Sequence, residues 1–341
     1  MLQFGLIGLG HHGKNAVAPA FFHDEAPAEL RAVCDLRADA LEAFERPVKG
    51  KHLDYREMLQ DDELDAVYVA AGMDLHYGIV MDCLRAGKHV IVEKPMAATL
   101  DQCKEMVATA DAVGLVLAVN FETRYSEQNA VLRRWLTGGH LGRVEALHFA
   151  NMWDGHKRFG PIKERRARLM ALAGALDCGI HKLDQARFLV GGTWGYVDAL
   201  GAWLDEEEFE PPPHIAILGQ LDNGISVSLN ASLAWAANIK PRPMVNTLEI
   251  AGVEGVALCR STPDFKRMSM ELHSNTLCEQ VDIDCTGHTN DIVLTLAEFA
   301  GVVAHGRTPG TLMASGEDGY WAQFATEAAN ASARRHREDV R

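Results

Sequence analysis

The chain has 341 residues and a formal net charge of −14, and 48% of its residues are hydrophobic. This length predicts two domains, and the ordinary apolar content excludes a disordered or collagen-like chain. A protein this acidic is a poor candidate for non-specific binding to nucleic acid or to an anionic membrane surface.

The seven cysteines include no Cys-x-x-Cys pair, so neither a disulfide framework nor a cysteine zinc site is expected. The histidines show no His-Glu-x-x-His spacing, and we expect no metal site. No apolar run approaches the roughly 18–20 residues that a membrane span requires. The N-terminus lacks the basic segment of a signal peptide. These features predict a reduced, cytoplasmic protein.

The first 120 residues alternate between short apolar runs and helical segments. The runs predict strands at Leu2–Leu9, Leu30–Asp35, Leu64–Ala70, His89–Val92 and Leu115–Val119. The segments between them predict helices at His12–Phe22, Ala38–Glu45, Tyr55–Gln60, His76–Ala86 and Leu100–Val113. This alternation indicates an α/β domain, residues 1–120, with a doubly wound parallel sheet.

Beyond residue 120 one amphipathic helix, Gln128–Leu136, precedes a series of strand-like segments. The predicted strands are Arg143–Met152, Tyr196–Leu204, His214–Leu221, Ile225–Leu233, Thr247–Ala251, Val256–Arg260 and Arg267–His273. Asp222-Asn-Gly224 is a tight hairpin signal between two of them. Residues 121–341 are therefore predicted to form an α+β domain whose mostly antiparallel sheet leaves one face free.

A glycine motif, Gly8-Leu-Gly10-His-His-Gly13, follows the first predicted strand and opens a helix. In that context the G-x-G-x-x-G pattern predicts a dinucleotide site, because the glycines let the backbone approach a pyrophosphate. Asp35 ends the second strand, 22 residues after Gly13, where a carboxylate can hold the ribose hydroxyls of NAD. Arg37 nearby can pair with the extra phosphate of NADP, so the sequence does not exclude NADP as the cofactor. The structural alternative for the motif is a plain glycine turn.

Two further segments carry side chains suited to proton transfer. Glu93-Lys94-Pro95 ends the fourth predicted strand, at the sheet edge where ligands bind in such folds. A solvated lysine is an equal alternative there. Asp177 and His181 are spaced i, i+4, so the carboxylate can orient an imidazole that titrates near neutrality. The alternative is a structural histidine in a capped helix.

Together these motifs resemble the glucose–fructose oxidoreductase and inositol dehydrogenase family, also known as Gfo/Idh/MocA. The matching segments are Gly8–Gly13, Ala86–Pro95, Asp177–Asp184, Ile250–Gly255 and Gly316–Gly319 ahead of a final helix. The resemblance implies an N-terminal Rossmann domain and a C-terminal domain with a large open sheet, through which homodimers or homotetramers form. It also implies hydride transfer between NAD(P) and a hydroxyl or keto carbon of a sugar, cyclitol or sugar acid.

The resemblance also implies roles for individual residues. Lys94 would polarise the reacting oxygen or relay its proton, His181 would be the general base, and Asp177 would contact both substrate and His181. Pro95 would follow a peptide bond that is often cis. The implied cofactor-binding residues are Gly8, Gly10, His11, His12, Gly13, Asp35, Arg37, Ala71, His76, Glu93 and Lys94. The implied substrate-binding residues are Lys94, Arg124, Tyr125, Trp153, Arg158, Asp177 and His181.

A basic segment from Lys157 to Arg168 contrasts with the acidic chain. The resemblance places it beside the substrate pocket, which suggests a carboxylate or phosphate on the substrate, whereas a solvated helix or a subunit contact is the alternative. Two other functions stay open: an NAD-dependent glycosidase that oxidises its substrate transiently, and a non-catalytic dinucleotide sensor. The presence of Lys94, Asp177 and His181 disfavours the sensor.

Overall fold

The computed structural model describes residues 1–155, 172–203, 209–235, 239–241, 243–285, 288–308 and 310–340. The basic segment at 157–168, with Arg158, lies outside the described residues. The chain forms two compact units, of which the first contains Met1–Ser126 with Gly287–Tyr320, and the second Glu127–Thr286 with Trp321–Arg341. Segment 287–320 thus folds with the first unit, whereas the boundary predicted near residue 120 places it with the second domain.

The first unit contains a six-stranded parallel sheet in the order β3-β2-β1-β4-β5-β6. Its strands are β1 (Leu2–Ile7), β2 (Ala28–Cys34), β3 (Gly50–His52), β4 (Ala66–Val69), β5 (His89–Glu93) and β6 (Leu117–Asn120). This order is that of a Rossmann fold and confirms the predicted doubly wound sheet. The three residues of β3 are too few to give a periodic pattern, and the sequence did not predict this strand.

Helices flank or connect the strands of both units. They are α1 (Ala18–Ala20), α2 (Ala38–Glu42), α3 (Tyr55–Met58), α4 (Met73–Arg85), α5 (Leu100–Val113), α6 (Glu127–Thr137), α7 (Ile180–Val190), α8 (His288–His305) and α9 (Gly316–Val340). Gly13–Val17 and Ala175–Gly179 are π-helical turns that lead into α1 and α7, and Glu122–Tyr125 is a 3₁₀ turn. In the described parts of the chain, no helix has both the length and the apolar character for crossing a membrane.

Helix α8 belongs to the first unit because its apolar side completes that unit's core. Its buried residues Ile292, Leu296 and Phe299 pack in the same cluster as Phe4 of β1. The Phe4 ring lies 5.6 Å from that of Phe299 and 5.3 Å from that of Phe21. Buried aromatic and aliphatic side chains of this kind dominate the stabilisation of a core.

The second unit contains an eight-stranded sheet in the order β14-β13-β12-β11-β7-β10-β9-β8. The strands are β7 (Val144–Met152), β8 (Trp194–Ala202), β9 (His214–Leu221), β10 (Ser226–Ser232), β11 (Val245–Gly252), β12 (Gly255–Ser261), β13 (Arg267–Ser274) and β14 (Cys278–Asp284). Neighbouring strands pair antiparallel, except that β10 runs parallel to β7. The mostly antiparallel sheet confirms the prediction, and Gly224, with φ +88°, closes the predicted hairpin.

Helix α9 packs on the second unit and also covers the outer edge of β8. Ala325, Ala329 and Ala333 recur every four residues along the helix and are buried in the core of this unit. The Ser332 hydroxyl accepts from Ala199 N at 3.1 Å and lies 3.3 Å from Ala199 O. It also donates to the Asp198 carboxylate. The backbone N–H of Ala199 on this edge is thus satisfied by a helix side chain.

Candidate active site

The glycine-rich loop between β1 and α1 has the shape that close backbone approach requires. Gly8 has φ +99°, and a Cβ atom there would lie 2.6 Å from Ala70 O. A Cβ atom on Gly13 would lie 2.0 Å from Gly8 O, so these two glycines allow the loop to fold on itself. At Gly10, by contrast, no described atom lies within 4 Å of such a Cβ. This open space at a helix N-terminus fits a pyrophosphate.

Asp35 follows β2 and lies beside the glycine-rich loop. Leu9 N donates to Asp35 Oδ2 at 2.8 Å, and Arg37 N donates to Oδ1 at 3.0 Å. The Arg37 Nε lies 3.3 Å from the same Oδ1. A carboxylate offers about four lone-pair sites, and these three contacts leave one on Oδ2 that can accept from a ribose hydroxyl. The loop and this carboxylate therefore fit a dinucleotide.

A buried polar cluster surrounds the Glu93 carboxylate at the carboxyl end of β5. Its Oε1 accepts from the Tyr68 hydroxyl and from Asn120 Nδ2, each at 2.8 Å, and lies 3.0 Å from His12 Nε2. Asn120 Nδ2 also lies 3.4 Å from Glu122 Oε2. Tyr68, Glu93, Asn120 and Glu122 are all buried. This cluster joins the glycine-rich loop to the ends of three neighbouring strands.

Within the cluster the two ionisable partners stabilise each other's charged forms. Burial alone would raise the pKa of Glu93, but the nearby His12 imidazolium holds it below its usual range. The Glu93 carboxylate in turn raises the pKa of His12, against the opposing effect of burial. The sequence identified His12 and Glu93 as candidates but not Tyr68, Asn120 or Glu122. Their one sequence signal is that polar side chains stand in or directly after apolar strands.

Lys94 lies between two anchored residues. Glu93 before it is held by the buried cluster, and the Pro95 carbonyl after it lies 2.9 Å from Nδ1 of the buried His76. Burial lowers the pKa of His76, so the ring is neutral and donates one proton, to Pro95 O or to Ala71 O at 3.2 Å. The Lys94–Pro95 bond is cis, as the resemblance implies. The anchored residues on either side, Glu93 and Pro95, fix the backbone that carries the Lys94 side chain.

Arg124 and Tyr125, expected to contact substrate, have polar contacts inside the first unit. Arg124 is buried, and its Nη1 lies 3.1 Å from Leu312 O and 3.3 Å from Asp318 Oδ2. The Tyr125 hydroxyl donates to the Glu298 carboxylate at 2.5 Å. These contacts fasten segment 287–320 to the rest of the unit, and substrate contact by these two residues stays a prediction.

The second unit contains the other expected catalytic residues. Asp177 lies in the π-helical turn Ala175–Gly179, and His181 lies in the first turn of α7, so the chain is helical through both. Both side chains are half-buried. Trp153 follows β7 and packs against the core of this unit, and its backbone N–H donates to Ser232 O at 3.0 Å. Most of the cofactor set lies in the first unit, and Trp153, Asp177 and His181 lie in the second.

Two sequence profiles match this chain. The profile described as "Oxidoreductase family, NAD-binding Rossmann fold" matches residues 2–121, and the profile described as "GFO/IDH/MocA C-terminal domain" matches residues 130–258. The matches cover most of the chain and confirm the predicted NAD-binding domain. In the part of the chain that the structure describes, no three His, Cys, Asp or Glu side chains are placed so that they could hold a metal ion.

Curated relatives and solved structures show the same similarity. A levoglucosan dehydrogenase from Pseudarthrobacter phenanthrenivorans is 29% identical over 61% of this chain and 56% of its own length. A myo-inositol 2-dehydrogenase from Thermotoga maritima is 27% identical over 66% and 64%. The chain thus spans under two thirds of either relative. An Agrobacterium radiobacter oxidoreductase, solved with NAD⁺, L-tartaric acid and magnesium, shares the fold at TM-score 0.82 and 20% identity, over 98% and 97% of the two chains.

Proposed function

The chain belongs to the GFO/IDH/MocA oxidoreductase family, and from this premise we propose that it is a dehydrogenase acting on a CH–OH group of a sugar, cyclitol or sugar acid. When bound, the nicotinamide supplies the hydride acceptor or donor. The observation that carries the proposal is the glycine-rich loop with open space at Gly10 and the Asp35 carboxylate beside it. The relatives' names, levoglucosan dehydrogenase and myo-inositol 2-dehydrogenase, support the substrate class.

In this proposal the proton of the reacting hydroxyl is handled by Lys94 and His181. Lys94 donates a hydrogen bond to the reacting oxygen and stabilises its negative charge in the transition state. His181 accepts the proton during oxidation and returns it during reduction, and Asp177 orients the imidazole. The anchoring of Glu93 and of the Pro95 carbonyl supports the role of Lys94, because a catalytic side chain needs a fixed backbone.

A substrate screen tests the proposed reaction. Sugars, cyclitols and sugar acids are offered with NAD and with NADP, and the nicotinamide absorbance is followed. We expect net reduction with at least one compound, and a preference for NAD because the Asp35 carboxylate repels a 2′-phosphate. Dinucleotide binding without turnover of any compound contradicts the proposed reaction. Glycoside cleavage without a net absorbance change would indicate the NAD-dependent glycosidase instead.

We also propose that two or four copies associate through the free face of the second sheet. Leu218 of β9 and Leu258 of β12 are 63% and 38% exposed, although their neighbours Ile217 and Ala257 are buried in the core. Successive strand residues point to opposite faces, so both leucines project from the face away from the core. Leu200 of β8 is 62% exposed. Leucines exposed on a sheet face, here beside exposed polar residues such as Gln220 and Glu249, indicate an interaction surface.

A charge on this face should separate the copies. We expect wild-type protein to sediment as a dimer or tetramer at micromolar concentration, and Leu218→Lys to sediment as a monomer. The reason is that burying an unpaired lysine charge in an interface is energetically unfavourable. Val113→Lys, a matched change at a 50% exposed position of the first unit, should leave the assembly unchanged. Wild-type protein that is monomeric, or a Leu218→Lys variant that stays assembled, contradicts the proposed interface.

A further inference from the structure

The contact between His12 and Glu93 places an ionisable side chain of the glycine-rich loop against a buried carboxylate at the end of β5. The His12 Nε2 is buried and lies 3.0 Å from Glu93 Oε1, whereas 40% of the imidazole side chain remains exposed. The other contacts of that carboxylate oxygen come from the neutral groups of Tyr68 and Asn120. His12 is therefore the titratable group in contact with the Glu93 charge.

The charged groups that act on His12 come from several elements. Glu93 lies on β5, Glu122 lies on the 3₁₀ turn after β6, and Lys94 follows β5. Tyr68 of β4 stays neutral because burial raises its pKa far above the usual value. Loss of the His12 proton therefore removes one positive charge from beside the Glu93 carboxylate.

The topology places this group under the nicotinamide half of a bound dinucleotide. This step rests on the proposed function, because it takes the dinucleotide as the cofactor. Dinucleotides cross the carboxyl ends of the strands of this fold, with the adenosine ribose at the acidic residue after β2. Asp35 marks that side of the crossing, so the other half extends over the ends of β4, β5 and β6, where Glu93 and Asn120 lie.

The oxidised nicotinamide ring is a cation and the reduced ring is neutral, so a local charge acts differently on the two forms. We propose that the His12–Glu93 pair sets the relative affinity of the site for oxidised and reduced dinucleotide. With His12 protonated, the Glu93 charge is compensated, and the site binds the oxidised and reduced forms with similar affinity. With His12 neutral, the uncompensated Glu93 carboxylate attracts the cationic ring and favours the oxidised form.

The direction of the pH dependence follows from the same contacts. Glu93 raises the pKa of His12 above its ordinary value of about 6.5. Proton loss from His12 therefore occurs above that pH, and the preference for the oxidised dinucleotide increases as the pH rises through this transition. One unit charge acting through partly hydrated protein changes the affinity ratio by roughly 3- to 10-fold.

Equilibrium binding of each cofactor form, without substrate, tests this proposal independently of turnover. Kd values for NAD⁺ and NADH are measured by calorimetry between about pH 6 and pH 9, which brackets the ordinary histidine pKa. In wild-type protein we expect the ratio of the NADH Kd to the NAD⁺ Kd to rise roughly 3- to 10-fold across this interval. A ratio that does not change with pH overturns the proposal.

Two substitutions at the pair and one control substitution complete the test. His12→Gln keeps a polar contact but cannot titrate, so its ratio should be independent of pH and close to the alkaline wild-type value. Glu93→Gln removes the charge, so its ratio should stay near the acidic wild-type value. The matched control is His23→Gln in the first unit, where His23 Nδ1 accepts from Glu25 N at 3.3 Å. This control should retain the pH dependence of the ratio.

A His12→Gln variant that keeps the wild-type pH dependence overturns the proposal, as does a His23→Gln variant that loses it. If a loop variant fails to fold, the ¹³C chemical shift of His12 in wild-type protein gives the answer, because its titration midpoint must be lower with NAD⁺ than with NADH. Equal midpoints overturn the proposal. A ratio of Kd values that does not change with pH contradicts the role of the His12–Glu93 pair but not the proposed dehydrogenase reaction. Dinucleotide binding without turnover contradicts the reaction but not the role of the pair.

Discussion

We expect Lys94→Ala to lower kcat roughly 100- to 10,000-fold, the range for the loss of a group that handles a proton or charge in the transition state. The dinucleotide should still bind, because the glycine-rich loop and Asp35 do not depend on the Lys94 side chain. His181→Ala should lower kcat over the same range. The measurements are steady-state kinetics on the substrate found in the screen and calorimetry of NAD binding.

The large expected loss of kcat depends on the anchoring of the Lys94 backbone. A positioned group contributes to catalysis only if its geometry is fixed before the reaction. Here the carboxylate of the preceding residue is held at 2.8 Å by both Tyr68 and Asn120. The carbonyl of the following residue contacts the buried ring of His76 at 2.9 Å. The flexible four-carbon side chain of Lys94 therefore extends from a fixed point of the backbone.

Exposed residues of the same types provide the controls for these two substitutions. Lys104, whose side chain is 61% exposed on α5, and His273, 55% exposed on β13, lie outside both candidate sites. Lys104→Ala and His273→Ala should keep wild-type kcat. If Lys94→Ala and His181→Ala both retain wild-type turnover, the assignment of the proton-handling residues is wrong, even if the protein proves to be a dehydrogenase.

Substitutions at Gly13 and Gly10 should separate the folding role of the loop from its binding role. A methyl group at Gly13 would lie 2.0 Å from Gly8 O, a backbone atom, so the loop must move. We expect Gly13→Ala to destabilise the protein by about 1–3 kcal/mol, as overpacking does, and to weaken NAD binding more than about 10-fold. The measurements are thermal unfolding and calorimetry.

Gly10→Ala should have the opposite profile. No described atom lies within 4 Å of the added methyl group, so the melting temperature should stay close to that of wild type. NAD binding should still weaken roughly 10-fold or more, because the methyl group occupies the space through which the pyrophosphate approaches the backbone. Unchanged NAD affinity in Gly10→Ala would show that the dinucleotide does not use this space. An unchanged melting temperature in Gly13→Ala would contradict the close contact with Gly8.

The elements predicted best are those fixed by local constraints. The glycine motif and Asp35 could be read from the sequence because a turn, a strand end and a fixed spacing specify them. Central strands such as Ala66–Val69 were predicted because all their residues are buried, which gives an unbroken apolar run. The hairpin at Gly224 follows from its Asn-Gly sequence.

The contacts that could not be predicted join residues far apart in the chain. Tyr68, Glu93 and Asn120 meet at one oxygen atom only because β4, β5 and β6 are neighbours in the sheet. Helix α8 was likewise not predicted, and no sequence pattern shows that it completes the core of the first unit. Arg124 illustrates the same limit, because a cationic side chain that binds substrate and one that bonds to Leu312 O look alike in sequence.

The coverage of β8 by Ser332 has a consequence for aggregation. An open strand edge presents unpaired N–H and C=O groups that can template another strand, and proteins block such edges with charges or covering elements. At one end of the second sheet, Ala199 already bonds to Ser332. At the other end, β14 presents the exposed carboxylates of Asp282 and Asp284. These features disfavour the addition of a further strand at Ala199 and at the part of β14 that carries the two carboxylates.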